Sequence, residues 1–143
     1  VKGDSYMIEY NVRMGDPEAE VVLPRIKTDL LELFKATAEN ILGQTKVEID
    51  DRTACTVMLV SGGYPGSYEK GKRMTGFDKV KDSILFHAGT KKENGEVITN
   101  GGRVIAVTSL ADSMKEALAI SYKNAEMIGF QGRYYRQDIG FDL

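Results

Sequence analysis

The sequence predicts an α+β fold, on three observations. Residues 53–60 form an apolar, Thr- and Val-rich run without a charge, which reads as a strand buried on both faces. Residues 84–109 hold short β-rich runs separated by glycine-containing turns, an antiparallel meander. Two stretches, near 28–42 and 113–128, carry helical spacing behind capping signals.

In chain order, residues 6–12 read as a first strand. Tyr6, Ile8, Tyr10 and Val12 point one way and Met7, Glu9 and Asn11 the other. Gly15 allows a sharp turn; Asp16 is a good N-cap, Pro17 a good first helical residue, and Glu18 falls in the first turn. The short helix that follows runs to about residue 23, where Pro24 bends or ends it. Asp29 with Glu32 then resembles a capping box. Leu30, Leu33, Phe34, Ala38, Ile41 and Leu42 make one expected buried stripe, and Gly43 is placed to end the helix.

Residues 44–52 are a polar connection with a possible short strand at 47–49, and the domain boundary is placed here. After the buried strand, Gly62-Gly63-Tyr64-Pro65-Gly66-Ser67 breaks the chain into a loop of unusual dihedrals. Residues 78–82 read as an exposed turn or short helix. Asn94-Gly95 marks a tight hairpin turn. Ser113 with Glu116 is a capping box, Gly129 ends the helix, and Met114, Leu118, Tyr122, Ala125 and Ile128 form its expected apolar face, with Asn124 off it. Residues 130–143 are apolar enough to pack over the sheet.

Composition narrows the function. The chain has 143 residues, 42% of them apolar and 28% charged, with a formal net charge of −2. That is ordinary globular composition, and it argues against a nucleic-acid partner held on a basic surface. No run approaches transmembrane length. The single cysteine, Cys55, excludes an intramolecular disulfide and reads as a buried free thiol in a reducing compartment. His87 is the only histidine, and its apolar neighbours favour a structural role over a catalytic or zinc-binding one.

The chemistry-bearing cluster is at the N-terminal side. Glu9 and Asn11 offer hard oxygen ligands suited to Mg²⁺ bridged to phosphates, and Arg13 a planar fork of donors for a carboxylate or phosphate. The same residues are also what an ordinary solvated strand and helix start carry. Gly-Gly-Tyr-Pro-Gly is either a plain turn or a loop that admits close approach of a substrate and turns backbone N–H groups toward an anion.

Glu9-Tyr10-Asn11-Val12-Arg13-Met14-Gly15-Asp16-Pro17-Glu18, followed by Glu20 and Pro24, closely resembles the signature of the glycinamide ribonucleotide synthetases (phosphoribosylamine–glycine ligases), a family of ATP-grasp ligases. Ser61-Gly62-Gly63-Tyr64-Pro65-Gly66, Phe86-His87-Ala88-Gly89-Thr90, Thr99-Asn100-Gly101-Gly102-Arg103-Val104 and Arg136-Gln137-Asp138-Ile139-Gly140 resemble it too, in the same order. The resemblance spans essentially the whole chain.

The resemblance implies an ATP-dependent carbon–nitrogen ligase of purine biosynthesis, cytoplasmic, acting on glycine, 5-phosphoribosylamine and ATP through a glycyl phosphate. It implies Mg²⁺ or Mn²⁺ held by Glu9 and Asn11, with Arg13 and Asp16 in catalytic roles. Gly15, Pro17, Glu18, Gly63, Tyr64, Pro65 and Gly66 would face substrate. Residues 1–45 would be the end of an ATP-grasp domain, a strand plus helix, and 46–143 a small C-terminal domain with an antiparallel sheet and one helix. The chain would then be a C-terminal fragment, inactive by itself; a complete small protein with a processed start is the other reading. Two other functions compete: another ATP-grasp ligase of a purine precursor, against which the Arg-Met-Gly-Asp-Pro-Glu spelling argues, and, for the isolated chain, a non-catalytic structural domain. A biotinyl-type carrier is excluded because no Met-Lys-Met occurs.

Overall fold

A computed structural model describes residues 7 and 10–141. The elements are α1 (Ala19–Val22), α2 (Leu30–Ala38), β1 (Thr53–Ser61), β2 (Ile84–His87), β3 (Thr90–Glu93), β4 (Glu96–Thr99), β5 (Arg103–Ala111), α3 (Met114–Met127) and β6 (Arg133–Tyr134). Short 3-10 turns at Leu23–Arg25, Leu42–Gln44 and Phe77–Lys79 join them. The α+β expectation therefore holds: a four-stranded antiparallel sheet, order β2-β5-β1-β6, with a separate β3-β4 hairpin and few helices.

The charge-free run becomes β1, a central strand. It pairs with β5 from Thr53↔Ala111 to Leu59↔Ile105, and an irregularity between Leu59 and Val60 sets Val60 opposite Arg103. Val57, Leu59, Ile105 and Val107 lie on one face, fully buried with Ala125 and Ile128 at the α3 side. Met58 and Val60 alternate to the other face, where Pro17 meets them.

Residues 84–109 form strands as expected, but not a simple meander. β2 pairs with β5, Ile84↔Thr108 to His87↔Ile105, and the β3-β4 hairpin leaves the sheet as an excursion. The reason is the turn after β2. Ala88 and Gly89 donate to the carbonyls of Val104 and Arg103 at 3.1 and 2.8 Å, keeping the chain on β5. Gly89 and Gly101 pass so closely that a Cβ on either would come within 3.0 Å of the other's backbone. Asn94 and Gly95, both at positive φ, make the expected hairpin turn.

α3 matches its predicted limits. The Ser113 hydroxyl caps it by accepting from the Glu116 amide at 3.3 Å. Its buried face is rotated from the expected apolar stripe, however. Ala117, Ser121, Asn124 and Ala125 are buried, while Met114, Leu118 and Tyr122 are half-buried. The Tyr122 hydroxyl accepts from the Ile139 amide, and Gly140 lies against Met114 and Leu118. The C-terminal segment packs Phe130, Tyr135 and Ile139 against the core built on β1 and β5, as expected, and it also covers the flank of α3 and adds β6 to the edge of β1.

The N-terminal side departs most from expectation. Residues 10–12 carry no strand, and Tyr6, Ile8 and Glu9 lie outside the described residues. The strands among the described residues, β1 to β6, do not include residues 10–12. α2 stops at Ala38, short of Gly43. Asn40 takes the left-handed conformation, with Asn40 and Ile41 amides bonded to Thr37 and Ala36 carbonyls at 3.1 and 2.9 Å, a Schellman ending. Of its expected stripe only Leu33 is buried, joined by Ala36; Leu30, Phe34, Ala38, Ile41 and Leu42 face outward. Helical periodicity fixes which residues share a face, not what covers it. The possible strand at 47–49 is a single bridge, Ile49 to Ile26.

Candidate functional site

The glycine-rich loop, the turn after β2, the turn before β5 and the residue 15–18 turn converge at one end of the sheet. Ser61 anchors the first of these: its amide donates to the Gly102 carbonyl and its hydroxyl to the Gly101 carbonyl, each at 2.8 Å. Gly63, at φ +95°, turns the chain so tightly against Ser67 that no side chain fits. Tyr64 is thereby laid over Gly102, edge-on to Tyr68 at 6.2 Å between ring centres. Pro65 and Gly66 are exposed at the loop tip. The Asp16-Pro17 and Tyr64-Pro65 peptides are both cis.

The residue 15–18 turn is built differently from the expected cap. Glu18 bends back so that its Oε2 accepts the Gly15 amide at 2.7 Å, and the Ala19 amide donates to the Gly15 carbonyl at 3.0 Å. The helix starts at Ala19 with Glu18, not Asp16, in the N-cap place. Asp16 is instead held by Arg103 of β5. One guanidinium nitrogen donates to the Asp16 carbonyl at 2.7 Å, and another pairs with its Oδ2 at 3.3 Å. Both side chains are half-exposed.

Pro17, Met58, Val60, Tyr64, Arg103 and Tyr134 line an open cavity of about 340 Å³, apolar on its walls, with Arg136 also at its lining. Arg136 is paired in a bidentate way with Asp138 at 2.8 and 2.9 Å, which holds the Asp138 carboxyl below the usual carboxylate range. On the other side of the loop, Ser61, Gly62, Glu69, Lys72, Gln131 and Gly132 line a smaller cavity of about 190 Å³. There Lys72 pairs with Glu69 at 2.5 Å and lowers its carboxyl pKa.

The structure therefore brings Pro17, Tyr64 and Asp16 together through Arg103, with Gly15 and Glu18 shaping the turn. Arg13 is exposed and folds back on the Met14 carbonyl at 2.9 Å. Asn11 is exposed, and Glu9 lies outside the described residues. Among the described residues no group of three His, Cys, Asp or Glu side chains is placed to hold a metal ion. His87 is exposed, hydrogen-bonded through Nδ1 to Thr90 Oγ1 at 2.9 Å and stacked on Phe77. Cys55 is only partly buried; its Sγ reaches the Met114 carbonyl at 3.7 Å, and burial pushes the thiol pKa up. Arg103, Tyr134 and Arg136 were not assigned roles from sequence. Their signal was position: Arg103 and Arg136 sit inside two of the motifs quoted above.

The chain is similar to known proteins over most of its length. Residues 54–142 match the model of the phosphoribosylglycinamide synthetase C domain. A phosphoribosylamine–glycine ligase of Caldanaerobacter subterraneus is 46% identical over 133 residues, covering 93% of this chain and 32% of that protein. The human trifunctional purine biosynthetic protein adenosine-3 is 43% identical over 143 residues, covering 98% of this chain and 14% of that protein. Among solved structures, the phosphoribosylamine–glycine ligase of Thermotoga maritima superposes with a TM-score of 0.74 at 36% identity, over 95% of this chain and 34% of that one. The chain thus spans about a third of the length of such ligases. On the family match and these identities together, the chain belongs to the phosphoribosylglycinamide synthetase C-domain family.

Proposed function

We propose that the chain works as part of an ATP-dependent phosphoribosylamine–glycine ligase. The observation that carries this is the convergence of the Asp16 turn, the Tyr64 loop and Arg103 on one cavity, in a chain 46% identical to a protein of that name. In this reading the glycine carboxylate attacks the γ-phosphorus of ATP, ADP leaves, and a glycyl phosphate forms. The amine of 5-phosphoribosylamine then attacks the acyl carbon, phosphate leaves, and the amide of glycinamide ribonucleotide remains.

Such chemistry asks for positioning and charge neutralisation rather than a side-chain nucleophile. Asp16 faces the amine; a carboxylate has acceptor capacity beyond one ion pair. Arg13 serves the transferring phosphoryl group or the glycine carboxylate. Pro17 and Tyr64 shape the cavity, and Gly63, Pro65 and Gly66 form the loop tip beside it. A divalent cation, Mg²⁺ or Mn²⁺, neutralises the nucleotide phosphates when bound. The donor chemistry of Glu9 and Asn11, a carboxylate and an amide oxygen, fits such a hard ion, and these two residues would hold it.

The division into an ATP-grasp end at 1–45 and a C domain at 46–143 belongs to the same proposal. The family match lies inside the second part. Lys27 and Asp50 amides bond across to Glu48 and Arg25 carbonyls at 2.8 and 2.6 Å, which supports a changeover nearer Arg52. The cytoplasm is the compartment this reading carries; no helix among the described residues is long and apolar enough to cross a membrane.

The test is to express the complete reading frame that encodes this chain and follow ADP formation. Release of ADP that requires both glycine and 5-phosphoribosylamine is the expected result. ADP release indifferent to either one overturns the reading.

A further inference from the structure

We propose that Arg103 is a positioning residue, and that the turn before it is the hinge-pin joining the two halves of the site. The proposal rests on the reading in which Asp16 meets the substrate amine. The contacts of residues 101–103 place Arg103 there. The carbonyls of Gly101 and Gly102 hold Ser61, and so the root of the Tyr64 loop. Gly102 leaves room for the Tyr64 ring. The Arg103 carbonyl holds Gly89 at 2.8 Å. Its guanidinium then reaches the Asp16 carbonyl and carboxylate, a contact across 87 positions of sequence.

A planar guanidinium grips both acceptors at once and fixes the direction of the Asp16 side chain as well as the position of its backbone. An exposed ion pair of this kind adds little to folding stability. Its consequence lies in geometry: the Asp16-Pro17 turn is set against the same cavity that Tyr64 walls. Orientation of a reacting group is worth far more to a rate than to a fold.

The experiment uses the protein of the complete reading frame. Arg103→Met keeps an unbranched apolar stem at the cavity and removes every donor; Arg103→Lys keeps the charge without the fork. Hydrogen exchange should quicken at the Gly15, Ala19 and Val22 amides in Arg103→Met and stay unchanged in β1 and β5. The KM for the amine substrate should rise about tenfold, with kcat and the KM for ATP changed less than about twofold, and Arg103→Lys should restore part of the loss. In the Asp16→Asn background, Arg103→Met should cost less than it does alone, because the carboxylate share of its effect passes through Asp16 while the bond to the Asp16 carbonyl remains.

Unaltered exchange at residues 15–22 overturns the proposal, whatever the kinetics. So does a full additive loss in the double variant, which would mean that Arg103 touches substrate itself. If the unsubstituted protein shows no ligase activity, the functional reading falls separately, and the exchange measurement alone decides whether Arg103 holds the turn.

Discussion

Gly102 lies so close under the Tyr64 ring that a Cβ at position 102 would overlap it. The backbone at Gly102 is not in the left-handed region, so alanine meets no dihedral penalty there. What must yield is the ring, and Tyr64 is 37% exposed and free to swing outward. Gly102→Ala should therefore cost about 1 kcal/mol or less in stability while moving Tyr64 off the cavity wall. Thermal unfolding with the Tyr64 ring resonances reads both. A large stability loss with an unmoved ring would show that the Tyr64 side chain is pinned in place rather than free to swing.

Asn124 ties α3 to the segment before β2. Its Nδ2 donates to the Lys81 carbonyl at 2.5 Å and to Ser83 Oγ at 2.6 Å, and its Oδ1 accepts the Lys81 amide at 3.3 Å. Ser83 passes the network to Ser109 at 2.7 Å and on to Ser121 at 2.8 Å. Asn124→Ala removes three hydrogen bonds made by a buried side chain and should cost about 2–3 kcal/mol. Ser121→Ala removes one small hydroxyl and should cost about 1 kcal/mol. Denaturant titrations with unchanged slope check the order of the two.

These two residues also show where the sequence stops being informative. β1 was legible because a charge-free run has nowhere to go but the interior, β5 because a β-rich run follows a glycine turn, and α3 because Ser113 and Gly129 bracket it. Asn124 and Ser121 were not, since apolar periodicity assigns polar residues outward by default. The pairing of β2 with β5 instead of β3 depends on the Gly89–Gly101 contact, which no local pattern reveals. The same holds for the site. The Tyr64 loop announces itself by its glycines, whereas Asp-Pro-Glu reads equally well as a helix start, and only the fold brings Arg103 to Asp16.

Cys55 carries a pH prediction. Burial raises its folded pKa, so the thiolate is favoured in the unfolded chain. The thiol's contribution to stability is full below the ordinary thiol range and is lost as pH rises through it toward the folded value. Cys55→Ala should flatten stability against pH in the alkaline range. Alkylation of the folded protein near pH 8 should be at least about tenfold slower than in urea. Equal rates in the two states would mean that the thiol is open to solvent.

Arg133 closes α3. The last carbonyls of a helix have no intrahelical donor, and Arg133 supplies one from the neighbouring β6. Its Nη1 lies 2.9 Å from the Ala125 carbonyl and 3.1 Å from that of Glu126, and it also contacts the Ile128 carbonyl. The guanidinium sits 5.3 Å from the centre of the Tyr135 ring, which orients it from the other side. Arg133 therefore joins three features with one group: the helix end, the edge strand paired with Val60 and Ser61, and the aromatic pair of Tyr122 and Tyr135. Arg133→Met keeps much of the stem and leaves those carbonyls unpaired, at a cost of about 1–3 kcal/mol. For a chain of this size that lowers the melting temperature by roughly 3–10 °C. Arg133→Lys should recover only part, because an ammonium can reach a carbonyl but cannot stack flat on Tyr135. Exchange should quicken first at residues 127–129 and at β6, with β5 unaffected. If melting and exchange stay as they are in Arg133→Met, water serves those carbonyls as well as the guanidinium does, and the edge strand holds by its pairing with β1 alone.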